Sequence, residues 1–222
     1  MTIRTRTADR SPLHRLVRGA LLAGLFAISP LVHAGAQIYE PLAASVQAAL
    51  HAAVADSAPP DTLFAGHPEN QRWLQQMSDR LARRIPDRAY REDLLKSVYY
   101  EATRAGLDPQ LVLGLIQVES GFRKYAVSTA GARGFMQVMP FWVKLIGRPA
   151  DDNLFHLRTN LRYGCTILRH YLAIEKGDLF RALGRYNGSL GRAEYPNLVR
   201  GAWERQWSYS HASAEPAVIA RN

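Results

Sequence analysis

One cysteine, Cys165, is all that 222 residues contain, so no internal disulfide can staple this chain and its fold must rest on a packed core. Cys165 falls in an apolar helical pattern with no His or Asn in a recognisable relation to it, which reads as a buried, inert thiol rather than a nucleophile. The seven histidines, His14, His33, His51, His67, His156, His170 and His211, show no paired ligand spacing and no companion cysteines. No metal and no cofactor is therefore expected. No phosphate-binding glycine loop ends in Lys-Ser or Lys-Thr, and Ser120 lacks the setting of a nucleophile elbow. Alternating strand patterns are almost absent and no internal repeat is visible, so the class is all-α. An apolar run of the about 20 residues that a bilayer span needs is also missing.

What is present begins with Arg4, Arg6, Arg10, Arg15 and Arg18, an apolar run from Ala20 to Leu31 and the small-residue setting of Val32-His33-Ala34. This is the pattern of a cleavable secretory signal over residues 1–34. Without an Arg-Arg pair before the run or a Cys closely after it, neither twin-arginine export nor a lipoprotein anchor has support. The expectation is an exported, periplasmic protein with no stable membrane anchor after cleavage. The formal charge is +9, and residues 1–34 hold five Arg against one Asp, so the remainder stays basic at +5. A basic exported protein concentrates anionic wall polymers around itself. The scattered Lys and Arg argue against nucleic acid as partner, and a plain solvated basic surface would account for the charge equally.

The hydrophobic fraction of 47% belongs to a globular chain. Residues 35–68 read as a loosely attached appendage and linker: Gln37 to Ala55 is Ala-rich and weakly amphipathic, and Asp56-Ser57-Ala58-Pro59-Pro60-Asp61 breaks helices. Residues 69–207 form the main domain. Trp73, Met77 and Leu81 recur at helical steps up to Pro86, and Tyr90, Leu94, Val98 and Ala102 share a face of the next helix, which stops at Gly106. Glu101, beside Arg104, reads as a surface group. Asp108-Pro109 opens a helix whose apolar residues occupy nearly its whole circumference, with Glu119 closing it and Gly121 free to take a left-handed stop. Further helices are expected from Phe135 to Gly147, bent near Pro140, from Asn160 to Lys176, and after Asp178. Arg185 to Gly191 reads as a loop, Trp203 and Trp207 as a last packed piece, and residues 208–222 as a disordered tail.

Three pieces carry the chemistry: Glu119-Ser120-Gly121-Phe122, then Ser128-Thr129-Ala130-Gly131-Ala132-Arg133-Gly134-Phe135-Met136-Gln137, then Arg185-Tyr186-Asn187. In this order and spacing they resemble the catalytic domain of the soluble lytic transglycosylases, relatives of goose-type lysozyme, over about residues 95–203. The resemblance implies a lysozyme-like helical domain with a substrate cleft, here with a helical N-terminal extension, that cuts the glycan strands of bacterial peptidoglycan. Glu119 suits the role of general acid on physical grounds. The end of a helix disfavours a carboxylate, and the face shared with Val112 and Ile116 desolvates it, so both effects raise its pKa.

Most glycosidases flank the bond with two carboxylates, and no convincing second one is found. Asp151 and Asp152 are candidates, but Asp-Asp-Asn ahead of an apolar segment is more simply a turn or cap. The resemblance implies a single Glu acting as acid and then as base. The N-acetyl group of N-acetylmuramic acid stabilises the developing positive charge, and the sugar's C6 hydroxyl attacks the anomeric carbon to leave a 1,6-anhydromuramoyl end. It also implies substrate-binding roles for Ser120, Ser128, Met136, Gln137, Tyr186 and Asn187, with the Tyr186 hydroxyl on the catalytic carboxyl and the Gln137 amide on an N-acetylated sugar. Each has a plainer reading as well: helix-end bonding for Ser120, core packing for Met136, a buried Tyr186, a turn-forming Asn187 before Gly188. Arg185, where the family commonly has a small residue, and Phe135, where it often has Leu, depart from the pattern.

Two other readings keep the fold. A hydrolytic muramidase would need Asp151 or Asp152 in the cleft, and a wall-binding adaptor would have no use for an intact Glu119. A dedicated wall-opening subunit, docked on an envelope or secretion-machinery protein through Gln37 to Arg84, would share the same chemistry.

Overall fold

The computed structural model describes residues 37–55 and 63–210; the expected signal, the Pro-rich break and the tail beyond residue 210 lie outside the described residues. The helices are α1 (Ala44–Ala55), α2 (Pro68–Leu81), α3 (Arg88–Arg104), α4 (Pro109–Glu119), α5 (Phe141–Ile146), α6 (Leu157–Ile174), α7 (Leu179–Asn187) and α8 (Glu194–Ala202), followed by a π-helical turn, Trp203–Trp207. Among the described residues extended pairing is confined to two isolated bridges, Val127 with Arg133 and Arg133 with Val138. The all-α class expected from the sequence is what the chain forms.

Acidic caps start three of these helices. Asp87 accepts from the Tyr90 N–H, Asp108 from those of Gln110 and Leu111, and Asp178 from that of Arg181, each satisfying donors that a helix start leaves free. The periodic faces point inward as read: Trp73, Met77 and Leu81 on α2, and Leu94, Val98 and Ala102 on α3, are all buried. Arg91 is buried too, and it ties the turn between those helices by donating to Ser78 Oγ and to the carbonyls of Ile85 and Pro86.

α4 runs through the middle, packed against α3, α8 and the π-turn. Gly114 makes the last contact possible, because a Cβ there would lie 2.9 Å from the Trp203 backbone nitrogen. α6, packed against α1, α3 and α7, is the second central helix. Its Gly164 receives Met136 so closely that a Cβ would meet the Met sulfur at 2.4 Å.

Several expectations change. Phe135 to Pro140 is a turn, and α5 begins only at Phe141, because Gly134 (φ 77°) and Gln137 (φ 49°) both take left-handed conformations that no helix can absorb. α7 does not stop at Arg185. It continues through Tyr186 and Asn187, whose burial favours the helix, and ends where Gly188 (φ 73°) turns left-handed. The start of the tail is tied down where it is described: Arg80 donates to the Ser208 carbonyl at 2.7 Å.

Glu101 is no surface group; it is fully buried between two guanidiniums. Its Oε2 accepts from Arg104 at 2.9 and 3.0 Å, and its Oε1 from Arg162 at 3.3 Å. The same two arginines donate to Ala53 O (2.8 Å) and Val54 O (3.2 Å), carbonyls that the C-terminal end of α1 leaves unpaired. The segment expected to hang loosely is therefore fastened. Gln47 and His51 of α1 add contacts to the carbonyls of Leu145 (2.6 Å) and Ile146 (2.9 Å) at the end of α5. The sequence hides this arrangement because Arg162 lies 61 residues from its partner.

Replacing Glu101 by Gln leaves a buried guanidinium, Arg162, and a half-buried one, Arg104, without their counter-charge. We expect a loss of about 3 kcal/mol in urea unfolding, with the far-ultraviolet dichroism of the folded form retained.

Candidate active site

The site grows from the end of α4. Its apolar circumference draws the helix inside, so the last residue, Glu119, arrives buried, at 5% exposure. Beyond Ser120 the chain reverses abruptly, since Gly121 (φ 58°) and Phe122 (φ 67°) are both left-handed. For an aromatic residue that conformation is strained and needs external support. The Phe122 ring has it, with Trp207 at 5.4 Å and the Arg84 guanidinium over its face. Trp207 is fixed in turn by its indole N–H on Gln117 Oε1 at 2.9 Å.

Burial pushes the Glu119 carboxyl up to about 8, and a short hydrogen bond from the Tyr195 hydroxyl to Oε1 works in the opposite direction. No carboxylate figures among the causes of that shift. The other oxygen, Oε2, is buried with no partner. A carboxylate would leave that charge unsolvated, whereas the neutral acid places its proton on Oε2 and keeps Oε1 as the acceptor for Tyr195. Glu119 is thus held as a proton donor through neutral pH.

The glycine-containing stretch folds into a pinned turn. Ser128 closes its first half: its N–H donates to Ala132 O at 3.0 Å, its Oγ accepts from Ala132 N at 3.1 Å, and its carbonyl accepts from Gly131 N at 2.9 Å. Asn160, fully buried on α6, pins the second half. Its Oδ1 accepts from Met136 N, and its Nδ2 donates to Arg133 O and Leu154 O, each at 2.8 Å. Gly134 must lack a Cβ for this, as one would stand 2.4 Å from Asn160 Nδ2.

The residues singled out from the sequence meet in part. Ser120 is buried and its hydroxyl donates to Ile116 O at 3.1 Å, the helix-end role. Met136 is fully buried against Gly164. The Gln137 amide gives both its protons to the loop, to Ala126 O at 3.1 Å and Gly134 O at 2.9 Å, so its donors hold the turn rather than face a sugar. Tyr186 is fully buried near enough to Glu119 to feel its charge, yet its hydroxyl donates to Met136 O at 2.8 Å. The contact expected from Tyr186 to the carboxyl is made by Tyr195 instead. Asn187 donates to Ser189 Oγ at 3.1 Å, while its Oδ1 is buried and unpartnered, a second open acceptor in this region of the chain.

Sequence reasoning missed Tyr195, Asn160 and Gly164. Only Tyr195 left a trace, as a lone aromatic in the polar Glu194–Asn197 stretch; the other two act through contacts more than twenty residues away. Asp151 and Asp152, the rival acids, are engaged in the middle of the α5–α6 connection. Asp152 accepts from Tyr163 Oη at 2.5 Å and from Arg148 N at 2.9 Å, and Asp151 is exposed beside Arg148. No three His, Cys, Asp or Glu side chains among the described residues converge so as to hold a metal ion.

Comparison with known proteins accords with this geometry. Residues 96–202 match the model of the transglycosylase SLT domain. Residues 96–202 thus form an SLT-type domain, all-α and built around α4 and α6. It is similar to the membrane-bound lytic murein transglycosylase C of Mannheimia succiniciproducens, 39% identical over 82 residues, covering 33% of this chain and 23% of that one. The protein of the same name from Histophilus somni is 41% identical over 75 residues, 30% of this chain and 21% of that one. A transglycosylase of the enterobacteria phage PRD1 is 36% identical over 89 residues, 40% of this chain and 32% of that one. The matched stretch spans under a third of each of these relatives.

Two outcomes follow from the burial of Glu119. Its folded-state pKa is raised above the unfolded value, so its contribution to stability is intact below about pH 4.5 and is lost as pH climbs through about 8. Glu119→Gln should remove that slope and be more stable than the parent at pH 8.5, by on the order of a few kcal/mol, in denaturant titrations at several pH values. Tyr195→Phe deletes the hydrogen bond that opposes burial. The Glu119 carboxyl should then titrate still higher, as read by carboxyl-carbon NMR.

Proposed function

We propose that this chain is a lytic transglycosylase of peptidoglycan, cleaving the β-1,4 bond between N-acetylmuramic acid and N-acetylglucosamine with formation of 1,6-anhydromuramoyl ends. The observation that carries this reading is Glu119, a buried acid with no cation beside it and one oxygen unpartnered, whose upward shift no other carboxylate among the described residues contributes to. Glycosidases that use two carboxylates hold them about 5 to 9.5 Å apart, a range at which mutual repulsion would be felt. One acid without a partner suits chemistry in which the substrate supplies both nucleophiles.

The steps balance on Glu119 alone. Its Oε2 proton passes to the glycosidic oxygen as the C1–O bond breaks and N-acetylglucosamine departs with a free 4-hydroxyl. The N-acetyl carbonyl oxygen of the muramic acid closes on C1 and carries the positive charge. The Glu119 carboxylate then takes the proton from the C6 hydroxyl as that oxygen attacks C1, which restores the acid and consumes no water. The Tyr195 hydrogen bond holds Oε1, leaving Oε2 for both transfers. The names of the relatives support peptidoglycan as substrate, and the basic, apolar leader pattern supports action in the periplasm. Among the described residues no helix is long and apolar enough to cross a membrane.

Muropeptides released from purified peptidoglycan should carry anhydromuramoyl ends by mass spectrometry, and Glu119→Gln should release none. Reducing ends would instead assign a hydrolase and require Asp151 or Asp152 to reach the bond. The rate should hold through neutral pH and fall above about 8, as the acid loses the proton it must donate.

A further inference from the structure

The segment preceding α1 reaches back to the site. Gln37 is buried, at 4% exposure, and spans the far side of the pinned turn: its Nε2 donates to Gln137 O at 3.4 Å and its Oε1 accepts from Met139 N at 3.2 Å. Gln37 also lies close to the Tyr186 hydroxyl, which itself donates to Met136 O at 2.8 Å. Three further contacts hold the segment down. The Tyr39 ring stands edge-on to Phe141 at 5.6 Å, Glu40 pairs with Arg185 at 3.0 Å, and α1 is docked on the end of α5 and on α6. Arg185, the departure from the family pattern beside Tyr186, is what Glu40 grips. Glu175 binds the same guanidinium, so the start of the site's tyrosine helix-end is latched from two sides. Gln37, Tyr39, Glu40 and α1 lie outside the span 96–202 matched by the domain.

We propose that Gln37 is a positioning residue for the reaction, a clamp that fixes the turn Met136 to Met139 and Tyr186 against the acid. Asn160 holds the near side of that turn at Met136 N and Gln37 the far side at Gln137 O and Met139 N. The clamp rests on the transglycosylase reading for its catalytic consequence, though not for its existence. A left-handed Gln137 in the middle of the turn needs such two-sided support, and a displacement of the turn of about 1 Å is enough to cost a reaction much of its rate.

The test compares the full chain with Gln37→Met, which keeps the side-chain volume and removes both hydrogen bonds. Amide hydrogen exchange at Met139 should quicken about five-fold, as expected for one lost hydrogen bond, while exchange at Met136, held by Asn160, stays unchanged. On soluble glycan strands kcat should fall on the order of ten-fold with KM nearly constant. Gln37→Glu keeps the acceptor for Met139 N and should restore slow exchange there. Unchanged exchange at Met139 in Gln37→Met overturns the clamp, and faster exchange with full kcat overturns its role in positioning. A parent protein that releases no anhydromuramoyl products overturns the enzyme reading and with it the effect on turnover, while the exchange comparison still decides whether the clamp exists.

Discussion

Everything in this molecule that concerns the site depends on keeping one carboxyl dry. Burying Glu119 with a single hydrogen bond and an orphan oxygen opposes folding, because the charged form loses its hydration and gains no counter-charge. The chain bears this by burying α4 on nearly all sides and by closing it with two consecutive left-handed residues. Their strain is held by Trp207, Arg84 and the π-turn. A solvated helix end would be more stable and would give a carboxylate at neutral pH, useless as an acid. Lower stability here goes with a carboxyl that keeps its proton at neutral pH.

A second constraint follows from the first. A dry carboxyl is useful only if the backbone beside it does not move, and the turn from Gly134 to Met139 has almost no secondary structure of its own. It is held by side-chain amides: Asn160 from α6, Gln137 folded back on Ala126 and Gly134, and Gln37 from the N-terminal segment. Amides suit this task because each offers both a donor and an acceptor to a backbone that needs both. Glycines at 134 and 164 let the turn and α6 approach to distances that no Cβ would tolerate. The two groups form one device, small residues for approach and amides for registration.

How much of this was legible in the sequence depends on the range of the forces involved. The helix start at Asp108, the buried faces of α2 and α3, and the burial of the carboxyl that ends α4 are local consequences of spacing and are legible from it. The all-α class followed from the near-absence of strand patterns, and the SLT-type domain from motif order. Local reading failed where a distant contact overrode it. Phe135 and Met136 look helical until Gly134 and Gln137 turn left-handed around Asn160, and Arg185 to Asn187 look like a loop until burial of Tyr186 extends α7. The weakly amphipathic α1 looked detachable because the guanidiniums that fasten it belong to α3 and α6. Tyr195 was passed over because its partner lies 76 residues away.

The two buried glutamates show why residue type and burial together still do not name a catalytic group. Glu101 and Glu119 both end up inside, on neighbouring helices of the same core. Glu101 has a guanidinium for each oxygen, and those arginines reach on to α1, so the charge is answered and the ensemble fastens one helix to two others. Removing its charge should unfasten structure. Glu119 has one neutral donor and no cation, so its charge is refused and its proton kept. The difference lies in what the neighbouring elements bring to each carboxyl, information that resides in tertiary pairing and not in either local sequence. A buried acid without a cation is the less stable solution, and its place at the head of the strained reversal through Phe122 is what makes this end of α4 the candidate site.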